Sequence, residues 1–181
     1  MTAQRDRTDM EMLRNGDMRG MESIYQRYKT ALYSYFCGII GQKEAAEDLV
    51  MSTMERLFTY RHAYKSDKNF RAWLFTMARN LAMDQYRHDR RRDNFEQEPH
   101  PEHTPDFDPS DAVDINSQLS ELLKHLSEGD REIISLHYLA EVSYEDLSQI
   151  LDLSVNALRI RVYRILKKLN KVYHLKANSN E

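Results

Sequence analysis

Residues 143–164 decide the fold of this chain, and they read SYEDLSQILDLSVNALRIRVYR. Their spacing predicts one helix over 143–151 and a second over 154–175, with a short turn between them. Ser143 and Ser154 can each cap the start of a helix through the side-chain oxygen. Together the two helices are typical of a helix-turn-helix. The apolar residues expected between them are Leu147, Ile150, Leu151, Leu153, Val155, Leu158 and Val162.

The second of these helices is predicted to present a polar and basic face to solvent. The residues expected on that face are Asn156, Arg159, Ile160, Tyr163 and Arg164. Residues at the start of such a helix read base edges in the major groove of DNA. Between Val155 and Asn180 there are seven Lys or Arg and no Asp or Glu. The segment therefore indicates DNA binding, although short helical hairpins with a basic face also occur in proteins that bind no nucleic acid.

The rest of the chain is also predicted to be helical. Its 181 residues include only five Gly and four Pro, which mark turns and phosphate-binding loops, so sandwiches, barrels and nucleotide-binding α/β folds are disfavoured. Further helices are predicted at 18–40, 43–60, 69–90, 116–126 and 128–139. The clearest apolar stripe consists of Phe70, Trp73, Leu74, Met77, Ala78, Leu81 and Ala82. We expect an all-α fold in which Trp73 belongs to the core.

An acidic linker is predicted to divide the chain into two helical domains. Residues 93–112 hold all four prolines and seven acidic residues, with no Lys or Arg. The first 92 residues instead hold 17 Lys or Arg against 12 Asp or Glu. Proline removes helical hydrogen bonds, so 93–112 is expected to be an extended tether between one domain at 1–92 and another at 113–181.

Several classes of protein are disfavoured by what the sequence contains. Cys37 is the only cysteine, which excludes an internal disulfide framework and a thiolate zinc site and indicates a reducing compartment. The N-terminus lacks the apolar segment of a signal peptide, and a cytoplasmic protein is expected. His88, His100 and His103 have no preformed metal geometry. Without paired carboxylates, a nucleophile elbow or a phosphate loop, we expect no enzyme, cofactor or small-molecule substrate.

Seven short motifs, taken in order, resemble one known family. The chain is similar to bacterial RNA polymerase sigma factors of the extracytoplasmic-function type, which carry only regions 2 and 4. The resemblance covers nearly the whole chain. It rests on AEDLV at 46–50, NFRAWL at 69–74, ARNLAMD at 78–84, the basic end at 87–92, LSEGDRE at 126–132, VSYEDL at 142–147 and RIRVYR at 159–164.

The resemblance implies two DNA contacts and one polymerase contact. Tyr64 and Asn80 match positions that line a pocket for a flipped base of the minus-ten element, and Arg159, Ile160 and Tyr163 match readers of the minus-thirty-five element. The residues that match the surface docked on the polymerase clamp are Asp48, Leu49, Glu55 and Arg56. Two departures, Met51-Ser52 after the AEDLV motif and the apolar Ile160, alter the expected clamp contacts and promoter sequence.

The chemistry of the residues at the expected minus-ten site, considered apart from the resemblance, is also suited to binding an unstacked base. Capturing a flipped base requires an aromatic surface, a hydrogen-bonding edge and cations for phosphate. Tyr64, Asn80, Arg71 and Arg79 supply these groups, and Arg87 heads a basic helix end that can contact phosphates. Read without the resemblance, Asn80 is better interpreted as a polar residue of a solvated helix face. The terminal arginines are then equally well explained by the helix dipole, which favours cations at a helix end.

The function implied is promoter-specific initiation of transcription by recruiting core RNA polymerase. The expected partners are core polymerase, promoter DNA and an anti-sigma factor, because the chain has no sensor domain of its own. In the family the linker threads a polymerase channel, where seven carboxylates would mimic nucleic acid; a solubilising spacer is the other interpretation. The alternative function is a stand-alone helix-turn-helix regulator with an N-terminal sensing or dimerisation domain.

Overall fold

The computed structural model describes residues 2–92 and 117–177, excepting the side chains of 86–92, 117–118 and 175–177, and these residues form helices and no strand. The all-α prediction is confirmed. The helices are α1 (Thr2–Arg14), α2 (Arg19–Ile40), α3 (Lys43–Thr59), α4 (Phe70–Arg92), α5 (Ser117–Lys124), α6 (Glu128–Ile134), a π-helical turn (Ser135–Leu139), α7 (Tyr144–Leu151) and α8 (Val155–Ala177). The predicted tether at 93–112 lies outside the described residues, and the division into two domains stays a prediction.

Helix α1 has no counterpart in the predictions made from sequence. It packs on α2 through two carboxylates as well as through the buried Met10 and Leu13. Arg27 donates to Asp6 and to Asp9, each at 2.5 Å, and the Tyr28 hydroxyl donates to Asp6 at 2.8 Å. Because the buried face of α1 carries acids, its sequence lacks the apolar period by which amphipathic helices are recognised.

Helix α2 is followed by a left-handed cap and gives the N-terminal helices much of their core. Gly41 has φ 76°, a conformation that favours glycine, and its N–H donates to the Cys37 carbonyl at 3.0 Å, which confirms the predicted cap. Asp17, the expected cap at the other end, accepts the Arg19 backbone N–H and pairs with its guanidinium, whereas the helix begins one residue after Met18.

The helix-turn-helix forms as its capping residues predict. The Ser143 hydroxyl accepts the Asp146 N–H at 3.1 Å, and the Ser154 hydroxyl accepts the Ala157 N–H at 3.2 Å. Four of the seven expected core residues are buried, namely Leu147, Ile150, Leu158 and Val162. Leu153, by contrast, is exposed, because it lies in the turn itself.

The helix predicted over 128–139 forms as two successive segments, the α-helix α6 and the π-helical turn. After α6 the chain widens into the π-helical turn, where the Ala140 N–H donates to the Ser135 carbonyl five residues earlier, at 3.0 Å. Glu141 then takes a left-handed φ of 53° and redirects the chain toward α7. A pattern of apolar residues cannot distinguish this wider turn from a continuing α-helix, because both bury much the same side.

The two sets of helices pack directly on each other. We call α1–α4 the N-terminal unit and α5–α8, with the π-helical turn, the C-terminal unit. Helix α2 lies against the π-helical turn, and α4 lies against α7. The buried side chains of both units form one continuous hydrophobic core.

The turn between α7 and α8 offers a test of this geometry. Asp152 has φ 53° and ψ 46°, which is left-handed backbone that Asp and Asn tolerate and β-branched residues do not. We expect Asp152→Val to lower the free energy of unfolding by about 1–2 kcal/mol and Asp152→Asn to change it little. Urea denaturation followed by circular dichroism measures both. Equal stabilities of the two variants would contradict the left-handed turn.

Candidate DNA and polymerase interface

The expected minus-thirty-five readers lie together on the exposed side of α8. Asn156, Arg159, Ile160, Tyr163 and Arg164 are all exposed, with Ile160 at 52% and Tyr163 at 68%. The opposite side of α8 is buried against the unit through Leu158, Val162 and Ile165. The exposed face is therefore free to contact a ligand.

Two contacts hold this face in position. The Arg159 guanidinium lies 5.5 Å from the centre of the Tyr144 ring, a cation–π distance that orients it from the first turn of α7. Arg161 donates to Asp130 at 2.8 Å and so joins α8 to α6. Burial would raise the pKa of Asp130, but hydrogen bonds from Arg161 and Ser127 and the charge of Arg161 hold that pKa below its usual range. Arg161 is thus bound within the unit.

The four residues expected to face polymerase do not form one surface. Asp48 and Glu55 are exposed and lie seven residues apart, which places them on the same side of α3. Leu49 is buried in the core. Arg56 is half-buried and points into a pocket between α3 and α4.

That pocket has a volume of about 240 Å³. It is lined by Arg56, Tyr60, Ala63, Trp73, Met77 and Asn80. One guanidinium nitrogen of Arg56, Nη1, is buried and has no hydrogen-bond partner in the part of the chain that the structure describes. The pocket therefore combines aromatic walls with an exposed amide, and the Arg56 side chain forms part of its lining.

Tyr64 does not line this pocket. Its ring is 2% exposed and packs against Phe70 and Trp73, with ring centres 5.5 and 5.2 Å away. Its hydroxyl donates to the Lys68 carbonyl at 2.9 Å and so fixes the loop before α4. Tyr64 thus supports Trp73, and Trp73 itself, expected to be a core residue, is only partly buried and forms a wall of the pocket.

Sequence reasoning missed Tyr60, Trp73 and Met77 as pocket residues. A signal was present, because Arg56 and Tyr60 are four residues apart at the end of α3, while Trp73, Met77 and Asn80 follow at helical spacing on α4. What the sequence lacked was the approach of the two helices. The side chain of Arg87 lies outside the described residues.

Arg71 and Arg79 are engaged by the C-terminal unit. Arg79 donates through Nε and Nη2 to the two carboxylate oxygens of Glu132, at 2.8 and 3.3 Å, and the Glu132 side chain is 6% exposed. Nη2 of Arg71 donates to the carbonyls of Ala140 and Glu141, at 2.7 and 3.0 Å. In this arrangement the two arginines contact protein acceptors.

Within 2–92 and 117–177, no three or more His, Cys, Asp or Glu side chains are grouped so that they could hold a metal ion. No helix in these ranges has the length and apolar character that crossing a bilayer requires.

An exposed recognition face on a helix-turn-helix, together with an aromatic pocket in a second set of helices, defines a helical DNA-binding protein. The model of Sigma-70 region 2 matches residues 24–92, and the model of Sigma-70, region 4, matches residues 116–169. The chain therefore belongs to the sigma-70 family of RNA polymerase sigma factors, in its extracytoplasmic-function group.

Relatives and solved structures agree with this assignment. The extracytoplasmic-function RNA polymerase sigma factor SigM of Bacillus subtilis is 26% identical over 160 residues, which cover 87% of this chain and 98% of that protein. The structure of CnrH in complex with the cytosolic domain of CnrY has a TM-score of 0.71 at 23% identity, over 94% of this chain and 98% of that one, and it supports the fold. The sigma factor RpoE of Bartonella quintana, in complex with the anti-sigma factor NepR, has a TM-score of 0.66 at 25% identity, over 84% and 96% of the two chains.

The position of Tyr64 behind the pocket can be tested through stability. We expect Tyr64→Phe, which removes only the hydroxyl that donates to Lys68, to lower the free energy of unfolding by about 1 kcal/mol. The matched control is Tyr60→Phe, because Tyr60 is 52% exposed and should change stability by less than about 0.5 kcal/mol. Chemical denaturation compares the two. A stable Tyr64→Phe protein beside a destabilised Tyr60→Phe protein would reverse the assignment.

Proposed function

We propose that this protein is a transcription initiation factor that binds core RNA polymerase and directs it to specific promoters, where it recognises and melts DNA. The observation that carries the proposal is the pocket beside Asn80 in the same chain as an exposed helix-turn-helix face. One part is suited to read duplex DNA and the other to hold an unstacked base. The protein acts by binding and positioning, without catalysis of its own, in the cytoplasm.

The pocket is suited to a flipped base of the minus-ten element. Unstacking a base costs a few kcal/mol, and stacking on an aromatic side chain returns about 1–3 kcal/mol. Tyr60 and Trp73 supply such surfaces, and the Asn80 amide can donate to and accept from a base edge. The guanidinium of Arg56, which belongs to the pocket lining, supplies a positive charge near a bound base. We therefore assign Arg56 to DNA in place of the polymerase clamp.

The exposed face of α8 is suited to the minus-thirty-five element. Asn156 and Arg159 carry the groups that make paired hydrogen bonds to adenine and guanine edges, respectively. Ile160 and Tyr163 offer apolar contact to a thymine methyl group, and their exposure makes them available for it. Arg164 is exposed on the same face, and we assign it to phosphate.

The exposed acids of α3 are the part that we assign to polymerase. Asp48 and Glu55 are exposed and lie on one side of α3. An anti-sigma factor is the further partner that we propose, because RpoE of Bartonella quintana was solved in complex with one. A stand-alone helix-turn-helix regulator is not favoured, since region 2 accounts for residues 24–92.

Run-off transcription from a library of genomic fragments tests the function directly. Core polymerase with the protein should yield discrete transcripts that core polymerase alone does not. Asp48→Arg should weaken binding to core polymerase and reduce those transcripts with no loss of helicity, because charges on an exposed rim govern association. Glu11→Arg, which reverses an exposed charge on α1, is the control. If Asp48→Arg keeps the wild-type affinity for core polymerase and the wild-type transcript yield, the assignment of α3 to polymerase is wrong.

The recognition helix is tested by comparing two cations of α8. We expect Arg159→Ala to cost about 1–3 kcal/mol at one base-pair position of the upstream element. Lys167→Ala should instead weaken binding to all sequences evenly and reduce the salt dependence by about one phosphate contact. Measuring the affinities of both variants across a promoter library separates these effects. Unchanged sequence discrimination by Arg159→Ala would show that another face reads the DNA.

A further inference from the structure

Helix α1 ends beside the loop that joins α3 to α4. Arg14, the last residue of α1, donates through Nε to the Arg61 carbonyl at 3.1 Å and through Nη2 to the His62 carbonyl at 3.4 Å. The same guanidinium lies 5.9 Å from the centre of the Tyr64 ring, which is within the range of a cation–π contact. One side chain of α1 therefore contacts three residues of this loop.

The loop residue enclosed by these contacts is Ala63, which lines the pocket beside Asn80. The Ala63 N–H donates to the carbonyl of Tyr60, a second lining residue, at 2.8 Å. On the other side of Ala63, the Tyr64 ring packs against Trp73, a third lining residue, with ring centres 5.2 Å apart. Arg14 is not itself one of the lining residues, so any effect that it has on the pocket passes through this loop.

Helix α1 is itself firmly attached to α2. Asp6 and Asp9 each accept a hydrogen bond from Arg27 at 2.5 Å. A side chain at Gly20 would come within 2.2 Å of the Asp9 carbonyl oxygen, so α1 can approach α2 this closely only because residue 20 is glycine. Leu13, the neighbour of Arg14, is fully buried. Arg14 therefore extends from an anchored backbone and can hold the loop in place.

We propose that Arg14 is a positioning residue of the base pocket, in that it holds the loop between α3 and α4 in the conformation that an unstacked base requires. The proposal rests on the proposed function, since it takes the pocket beside Asn80 to bind a base. Binding to a preformed pocket avoids the entropy lost when a loop and its side chains become ordered on binding. The region 2 match begins at residue 24, so this contribution comes from a helix outside the matched segment.

Two variants of Arg14 separate positioning from simple attraction of phosphate. Arg14→Ala removes both the charge and the hydrogen bonds. Arg14→Lys keeps the charge, but its single ammonium does not reproduce the fixed fork of N–H groups that a guanidinium presents. The matched control is Arg5→Ala, which removes the same charge from an exposed position of α1. Circular dichroism establishes that each full-length variant is folded, and Arg14→Lys alone suffices if Arg14→Ala does not fold.

The state of the pocket is measured first, without DNA. Trp73 is the only tryptophan of the chain, so its fluorescence reports on one wall of the pocket. Releasing the loop should expose the indole to water. Arg14→Ala should therefore shift the emission to longer wavelength and increase quenching by acrylamide, and Arg14→Lys should do the same to a smaller extent. Arg5→Ala should match the wild type.

Binding is measured next, by fluorescence anisotropy of two labelled single strands of equal length, one of random sequence and one made only of abasic nucleotides. Both strands carry the same phosphates, so the difference between their affinities isolates the contribution of the bases. The wild type should prefer the strand with bases, because bases stack on aromatic side chains. Arg14→Ala should bind that strand roughly fivefold more weakly, since the loop must now be ordered on binding. It should bind the abasic strand as the wild type does.

The proposal requires both changes. If Arg14→Ala leaves either the Trp73 fluorescence or the preference for bases at its wild-type value, Arg14 does not position the pocket. Equal weakening of both strands, with a slope of log affinity against log salt that is lower by about 0.7, would show instead that Arg14 contacts a phosphate.

Failure of the proposed function gives a different result. A wild type that binds the two strands equally would show that the pocket takes no base, and the role of Arg14 would be rejected together with the base pocket. A wild type that prefers bases, beside an Arg14→Ala chain with the same preference, rejects only the role of Arg14.

Discussion

The buried carboxylate of Glu132 is the constraint on which the arrangement of the two units depends. A charged group removed from water must be paired, and breaking such a pair by removing one partner is strongly destabilising. Arg79, reaching from α4 with its own side chain about one-third exposed, supplies the cation. The C-terminal unit can bury Glu132 in the dry interface only while it stays against α4, and in water the same carboxylate needs no partner.

Helix α4 meets this constraint by presenting three faces at helical spacing. Phe70, Leu74, Ala78 and Ala82 are buried in the core. Trp73, Met77 and Asn80 line the pocket, and Arg71 and Arg79, eight residues apart, meet the C-terminal unit. The apolar stripe visible in the sequence merges the first two of these faces, because a stripe wide enough to bury a helix does not show which edge borders a cavity. This is why Trp73 was expected in the core although it walls the pocket.

What the sequence could predict follows the range of the interactions. Caps at Ser143 and Ser154 act over three residues, so the helix-turn-helix and the exposed face of α8 were predicted correctly from local spacing. Helix α1 was missed because its docking depends on Asp6 and Asp9 meeting Arg27 some twenty residues away. The contacts that Arg71 and Arg79 make with the C-terminal unit join residues that are still farther apart in the sequence. A pattern of residue types identifies a cation, but only the packing of helices identifies the acceptor that it meets.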